Sequence, residues 1–377
     1  MTIEFGAHTF AAVPAVDGDP IDHAQVLRDV VQEGIAADRA GLAFFGIGEH
    51  HREDFAASAP EIVLGALASV TERIRLGTAV TVLSSNDPVR VFEQFSTLDG
   101  ISSGRAEMIV GRGSFVESFP LFGLRLEDYE ELFEERLELL AALVREEPVT
   151  WSGRLRSPLT EQPVHPRSHA ATQGGRMPVW VGVGGSPESV IRTARHGFDM
   201  MLAIIGGSPA QFAPFAGLYR KAMEQFGHVG ADGAPLGRVG MHSPGLVAES
   251  DAEAKRILMP QWMVFRNRIG RERGWGDATE REFDAQVAEH GAMFAGSPET
   301  VAQKIAWAVE TLGVERFDLK YDSGTSHADN LRSIELFGSE VIPRVRALLG
   351  EEAVGAGSTG AGSTGAGSTG AGTASAG

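Results

Sequence analysis

Eight short runs of apolar or β-branched residues recur along the chain, at 3–10, 43–49, 74–83, 106–111, 178–183, 199–205, 239–248 and 316–321. Between most of them the apolar residues fall at helical spacing, which predicts helices over 22–40, 60–71, 88–101, 127–145, 187–196, 209–227, 251–270 and 298–312, with a last one over 328–348. Strands that alternate with helices must pair in parallel through crossovers. Eight such repeats without a long polar linker predict closure into one α/β domain, a single (β/α)8 TIM barrel over residues 1–350. A doubly wound sheet is the runner-up, but the glycine-rich turn that should follow its first strand is missing after Phe10.

Two excursions interrupt the alternation, 146–177 with Trp151-Ser152-Gly153, and 271–295 with Gly274-Trp275-Gly276. Both are expected as loops or small hairpins, insertions at the C-terminal face of the barrel, where loops form the active side and long ones act as lids. Insertion drift on a tolerant surface is an equal reading for 146–177. From Gly355 the chain repeats Gly-Ala-Gly-Ser-Thr three times without a charge or a large side chain, so residues 351–377 read as a flexible, disordered tail.

The formal charge of -17, from 50 acidic against 33 basic residues in 377, argues against a nucleic-acid partner. The chain has no cysteine, hence no disulfide framework, thiolate metal site or cysteine nucleophile, which fits a reducing, cytoplasmic compartment. Neither a secretion signal at Met1–Phe5 nor a run of membrane-span length is visible.

The ends of the runs carry the chemistry. Gly48-Glu49-His50-His51 closes the second run and places two imidazoles and a carboxylate at a strand terminus. Adjacent histidines are expected to face opposite ways, one into a pocket and one hydrogen-bonded in its wall. A metal site from His8, one of the pair and Glu49 is a weaker reading, since position 6 is glycine where a His-x-His would be wanted. Gly111-Arg112-Gly113 ends the fourth run, and its guanidinium suits a phosphate or carboxylate as well as a structural pair with Glu107 or Glu117. Gly184-Gly185-Ser186-Pro187 opens a helix after the fifth run and offers free N–H groups to an anion. The same Gly-Ser-Pro recurs at 207–209 and 296–298, so at least one copy is only a helix cap. Lys320 and Asp322 read best as a solvated strand terminus.

In order and spacing, several blocks resemble the bacterial luciferase-like flavin monooxygenases over roughly residues 1–348. They run from Gly48-Glu49-His50-His51 through Leu76-Gly77-Thr78-Ala79-Val80, Asp87-Pro88-Val89-Arg90 and Leu98-Asp99-Gly100-Ile101-Ser102-Ser103-Gly104-Arg105 to Gly111-Arg112-Gly113. Thr172-Gln173-Gly174-Gly175 with Pro178-Val179-Trp180-Val181, and Ile334-Glu335-Leu336-Phe337 with Val341-Ile342-Pro343, continue the likeness.

The resemblance implies a barrel that binds reduced FMN at its C-terminal rim, takes it from a separate reductase, and uses molecular oxygen to oxygenate a small apolar organic substrate. It further implies a homodimer. By position, His50 matches the catalytic histidine of the family, with His51 beside it, and Arg112 matches a ligand of the flavin phosphate. Gly184, Gly185 and Ser186 fall where the family holds the same phosphate, and the Ala79–Val80 bond matches a cis peptide beneath the flavin ring. Aromatic residues such as Phe10, Phe115 and Trp262 are expected near a water-excluding mouth. There are departures: glycines replace the side chains of the luciferase phosphate turn, and Gly111 replaces its reactive cysteine, so light emission is not expected. A deazaflavin-dependent hydride transfer on the same barrel is the alternative, and a metal-dependent hydrolase a second one.

Overall fold

The computed structural model describes residues 3–14 and 22–351. Eight strands form the ring: β1 (Glu4–Thr9), β2 (Phe44–Ile47), β3 (Arg75–Thr78), β4 (Ala106–Gly111), β5 (Val179–Val183), β6 (Asp199–Ala203), β7 (Val239–Val247) and β8 (Arg316–Lys320). Each pairs in parallel with its chain neighbour, and β8 returns to β1 with Glu4 opposite Arg316 and His8 opposite Lys320, which closes the barrel.

Around the ring lie α1 (His23–Arg39), α2 (Pro60–Ala68), α3 (Pro88–Ser102), α4 (Tyr129–Leu143), α5 (Pro187–Arg195), α6 (Ala213–Gln225), α7 (Asp251–Arg273), α8 (Pro298–Leu312) and α9 (His327–Leu336), the last continuing to Leu348. Five of these carry proline in the first turn, four of them as the first residue, and Asp87, Ser186 and Ser297 cap their helices through side-chain oxygens. Proline loses nothing there because that N–H has no partner in a helix anyway. The outward faces of the strands, with Phe45, Ile47, Met108, Val110, Val181, Met200 and Leu202, pack against the helices in one continuous core.

The inward faces are different. At the N-terminal end of the barrel the interior is filled with charge: Arg316 donates to both oxygens of Asp318 at 2.7–3.1 Å and to Glu107, while Arg75 joins Glu107 at 2.9 Å and Glu4 at 2.6 Å. Burial alone would raise the Glu107 carboxyl, but Arg316 and Arg75 outweigh it and hold the group below the usual carboxylate range. Phe44 and Trp180 lie over the Arg316 guanidinium at 3.9 and 5.1 Å, sealing this ionic floor from above.

The two excursions have different geometries. Segment 146–177 joins α4 to β5, and its hairpin, Val149–Trp151 against Leu159–Gln162, lies on the flank of α4. There Arg154 pairs with Asp128 and Glu131, and Arg156 reaches Asp87. The roof comes instead from α7 and the segment after it. The helix leaves the end of β7, and its later turns set Phe265 against Phe55 at 6.3 Å and Glu272 on Arg52 at 2.7 Å, both on the loop after β2. A short helix, Glu280–Val287, then brings the chain back to Phe294–Gly296, which pairs with the upper end of β7. Trp262 packs on Phe283 inside this excursion at 5.5 Å, so it supports the roof rather than lining the mouth. Buried Lys304 on α8 ties the returning segment down by donating to the carbonyls of Val287, Ala288 and Met293.

Glu351, grouped by sequence with the tail, accepts a hydrogen bond from the Ile3 amide at 2.8 Å and so belongs to the barrel. The rest of that tail lies outside the described residues. No described helix is long and apolar enough to cross a membrane.

Replacing Arg316 with Leu strands two buried carboxylates without their cation. Urea unfolding of the variant is expected to show a loss of about 3–5 kcal/mol, the cost of breaking a buried ion pair from one side. A loss below about 1 kcal/mol would mean that the ionic floor is not a keystone of the barrel.

Candidate active site

At the C-terminal end of the barrel the inward positions divide into two halves. On one side stand Gly46, Gly111 and Gly182, with Gly48 just beyond β2, and all four lie against the Ala79–Val80 segment. A Cβ at Gly46 would come within 2.9 Å of the Ala79 Cβ, one at Gly48 within 2.9 Å of the Ala79 oxygen, and one at Gly111 within 3.0 Å of the Val80 side chain. The glycines therefore make room for Ala79–Val80 to lie across the mouth as a ledge, and the bond between these residues is a cis peptide. The sequence run 74–83 is accordingly two strands: β3 ends at Thr78, and Thr81–Val82 resumes against Val110 and Gly111 of β4.

Glu49 fixes this ledge. Its backbone N–H donates to the Val80 oxygen at 3.1 Å, and its carboxylate accepts from the Val82 amide at 2.7 Å and from Asn86 at 2.9–3.0 Å. The remaining contact is His51, whose Nε2 lies 2.8 Å from the same carboxylate. His51 is thereby a wall residue. His50 faces the other way, stacked on Phe55 at 4.3 Å with Phe10 at 4.6 Å and Phe115 at 5.5 Å, so one of the adjacent histidines faces the mouth, as expected from the sequence. Burial drives the His50 pKa down to about 3; Lys320 adds to the effect and Asp322 opposes it. The imidazole is neutral throughout the physiological range.

Arg112 leaves the rim just after β4 and pairs with Glu130 at the start of α4, 5.6 Å from the Tyr129 ring. Neither partner expected from sequence holds it: Glu107 belongs to the ionic floor and Glu117 to Arg52. Beside Arg112 a cavity of about 280 Å³ is lined by Gly113, Ser114, Phe115, Val116, Leu126 and Tyr129.

Across the rim, Gly184 has open space where a Cβ would be, Gly185 has a φ of +106°, and Ser186 caps α5 by accepting from the Ser189 amide at 3.2 Å. Glu188 also sits at this helix start. Its own backbone N–H, first, and then Ser186 hold its carboxyl below the usual range, and the charge of Arg112 reaches it. An anion must share this helix start with a carboxylate. Arg112 and Arg192 are the nearby cations, shared with Glu130 and Glu134, and Arg192 keeps an Nη1 without a hydrogen-bond partner. Of the other two Gly-Ser-Pro turns, Ser297 caps α8 and Ser208 makes no side-chain cap.

The other half of the mouth is polar. His8 on β1 and His242 on β7 meet edge to face at 4.7 Å, on the two strands that flank Lys320 of β8. Lys320 does not end in solvent. Its ammonium lies 4.8 Å from the Phe10 ring and pairs at 3.1 Å with Asp322, whose carboxylate also accepts from Thr9 and the amides of Phe10 and Ala12. His242 escaped the sequence reading, although a lone histidine in the apolar strand Val239–Val247 was the available signal.

The metal reading does not assemble. Glu49 is turned to Val82, Asn86 and His51, and His8 lies with His242 instead. Among the described residues no group of three or more His, Asp or Glu is arranged to hold a metal ion.

Comparison with known proteins agrees with this architecture. Residues 3–316 match the family model of luciferase-like monooxygenases. The chain is 32% identical over 184 residues to an N-acetyl-S-alkylcysteine monooxygenase of Bacillus subtilis (strain 168), covering 48% of this chain and 52% of the relative. It spans about half the length of the first curated relatives it matches. Among solved structures, the oxygenating constituent of 3,6-diketocamphane monooxygenase of Pseudomonas putida, in complex with FMN, superposes with a TM-score of 0.70 at 19% identity, over 92% of this chain and 99% of that one. The coenzyme F420-dependent tetrahydromethanopterin reductase of Methanopyrus kandleri superposes with a TM-score of 0.66 at 18% identity, over 92% and 100%. At these identities both share the fold.

The neutral state of His50 has a measurable consequence. Its pKa lies below the ordinary 6.5 in the fold, so the unfolded chain takes up the proton first. The associated stability is full above pH 6.5 and drains away as the pH falls toward 3. Between pH 7 and pH 5 the His50→Phe variant is expected to lose about 2 kcal/mol less unfolding free energy than the wild type. Identical pH slopes in urea unfolding would show that His50 is not held neutral by the fold.

Proposed function

This chain belongs to the luciferase-like monooxygenase family, and on that premise we propose that it is a flavin-dependent monooxygenase. In this reading it takes reduced FMN from a separate reductase and, with molecular oxygen, oxygenates a small, largely apolar organic substrate. The observation that carries the reading is the ledge: a flat Ala79–Val80 step, cleared of side chains by the surrounding glycines and stapled by Glu49, leads to a helix start flanked by two arginines. A planar ring that ends in a phosphate suits that surface.

Reduced FMN, when bound, supplies the electrons that activate oxygen. The protein does the rest. Ala79 and Val80 would support the ring, and Arg112, which here pairs with Glu130, would hold the phosphate together with the turn Gly184, Gly185, Ser186. His50, neutral and boxed by three phenyl rings, presents one N–H and one lone pair to the reacting atoms and is placed to act there as acid or base. His51 acts by position, closing the Glu49 clamp. The roof of α7, latched through Arg52 to Glu272 and through Arg268 to Glu53, keeps water from the mouth.

Anaerobic titration of the purified chain with reduced FMN and, separately, with the reduced deazaflavin F420, followed by admission of air, tests the reading. Tighter binding of FMN and oxygen uptake are expected. Tighter binding of the deazaflavin without oxygen uptake would replace it with hydride transfer. Arg112→Ala is expected to weaken FMN about tenfold or more by removing a charge-assisted contact. His50→Ala is expected to keep FMN affinity and slow turnover about 100-fold or more; unchanged turnover would remove this histidine from the chemistry.

A further inference from the structure

His8 is the most isolated polar side chain at the mouth. It is 1% exposed, and neither ring nitrogen has a hydrogen-bond partner; Nδ1 of His242 beside it is likewise buried and unpartnered. Three imidazole nitrogens buried without partners are costly in a stable protein, and such groups persist where something else satisfies them. His8 stands beside Gly46 across the β1–β2 pairing, next to the ledge, and His242 meets it from β7, two strands away.

The chemistry of an occupant follows from the charges. A neutral imidazole offers one N–H and one lone pair, and burial keeps both rings neutral: it lowers His242 to about 4, with Lys320 adding to it, and lowers His8 well below its ordinary value, with His242, Lys320 and Arg316 adding. The nearby cation, Lys320, is already neutralised by Asp322. An anion would therefore find no free countercharge, whereas a hydroxyl both donates and accepts and can satisfy the two rings at once. From His8 the wall continues as aromatic rings, Phe10 at 5.8 Å, then His50, Phe55 and Phe115 at successive spacings of 4.6, 4.3 and 6.2 Å. That wall suits a flat aromatic body.

We propose that His8 and His242 form the polar end of the substrate pocket and bind the hydroxyl of a phenol-class aromatic substrate, the O–H donating to one imidazole and accepting the N–H of the other. This assigns a substrate class to the enzyme proposed above and rests on that reading for the reaction, although the binding site itself stands without it. Burying an unpaired polar group against a ligand that lacks the hydroxyl is what creates the discrimination.

Three probes separate the possibilities: 2-naphthol, naphthalene and 2-naphthoate, titrated into the full chain with oxidised FMN present and again without it. The wild type is expected to bind 2-naphthol about tenfold or more tightly than naphthalene, with 2-naphthoate weaker than 2-naphthol. The double variant carrying His8→Phe and His242→Phe is expected to bind the two uncharged probes within about twofold of each other and to keep the wild-type affinity for FMN. Equal affinity of the wild type for 2-naphthol and naphthalene overturns the proposal. So does tightest binding of 2-naphthoate, or a double variant that keeps the preference, or one that loses FMN and 2-naphthol together. If the double variant does not fold, nitrogen NMR of histidine-labelled wild type decides. Two neutral imidazoles should shift with 2-naphthol and stay in place with naphthalene, and no shift with either overturns the assignment. Failure to bind FMN, with the hydroxyl preference intact, would instead remove the flavin reading and leave this one standing.

Discussion

A closed eight-stranded barrel has an interior that must be filled, and this one is filled from below with ions. Arg316 sits at the N-terminal end between Glu107 and Asp318, with Arg75 and Glu4 completing the network and Phe44 and Trp180 roofing it. A guanidinium so enclosed is held because both its charge and its fork of donors are met at once. With the lower interior solid, the upper interior is free to carry glycines. Gly46, Gly111 and Gly182 leave the space that the Ala79–Val80 ledge occupies. The shape of the site is thus set by a packing decision two layers below it.

Above the floor, the ledge depends on one carboxylate. Glu49 gathers the Val82 amide, Asn86 and His51, so the end of β2, the break after β3 and the adjacent histidine move as one unit. Arg52, three residues on, does the same for the periphery: it joins Asp54 beside it, Glu117 on the loop after β4 and Glu272 at the end of α7. Four consecutive residues therefore hold the site floor, present the mouth-facing imidazole and latch the roof. That concentration explains why the segment after β2 is rich in titratable groups without being a metal site.

Much of this was legible in the chain. The eight runs and their helices were readable because strand ends, proline at first helical turns and Ser or Asp caps are local signals, as at Asp87-Pro88, Ser186-Pro187 and Ser297-Pro298. The rim residues Glu49, His50, Arg112 and Ser186 were readable because strand termini converge in any such barrel. What was not legible is what depends on closure. Arg112 is paired through a turn with Glu130, not with the nearer acids, because Glu107 points inward and Glu117 is drawn to Arg52. Lys320 looked like a solvated end, yet the ring of strands turns it onto Phe10 and Asp322. His242 shows in the chain only as a lone histidine in an apolar strand, and its meeting with His8 depends on ring closure through β8. Of the two insertions read as lids, 271–295 reaches the mouth because α7, which leads into it, leaves the C-terminal end of β7 and sets Glu272 on Arg52. Segment 146–177 leaves the far end of α4 and so starts from the opposite face.

The two halves of the mouth answer different physical demands, and neither alone makes a site. The glycine half offers shape and a helix start with nearby cations, which suits a flat ring carrying a phosphate but discriminates little between one planar aromatic body and another. The histidine half offers buried hydrogen-bonding groups without protein partners, which discriminate strongly between ligands that can and cannot satisfy them. His50 lies between them, joined to the polar half through Phe10 and to the ledge through its neighbour Glu49. A neutral imidazole with a smooth, rigid surface on one side and buried hydrogen-bonding groups on the other is an arrangement that can fix how a bound molecule lies between them. Filling the floor with ions, and leaving the rim to glycine and imidazole, is how this chain arrives at it.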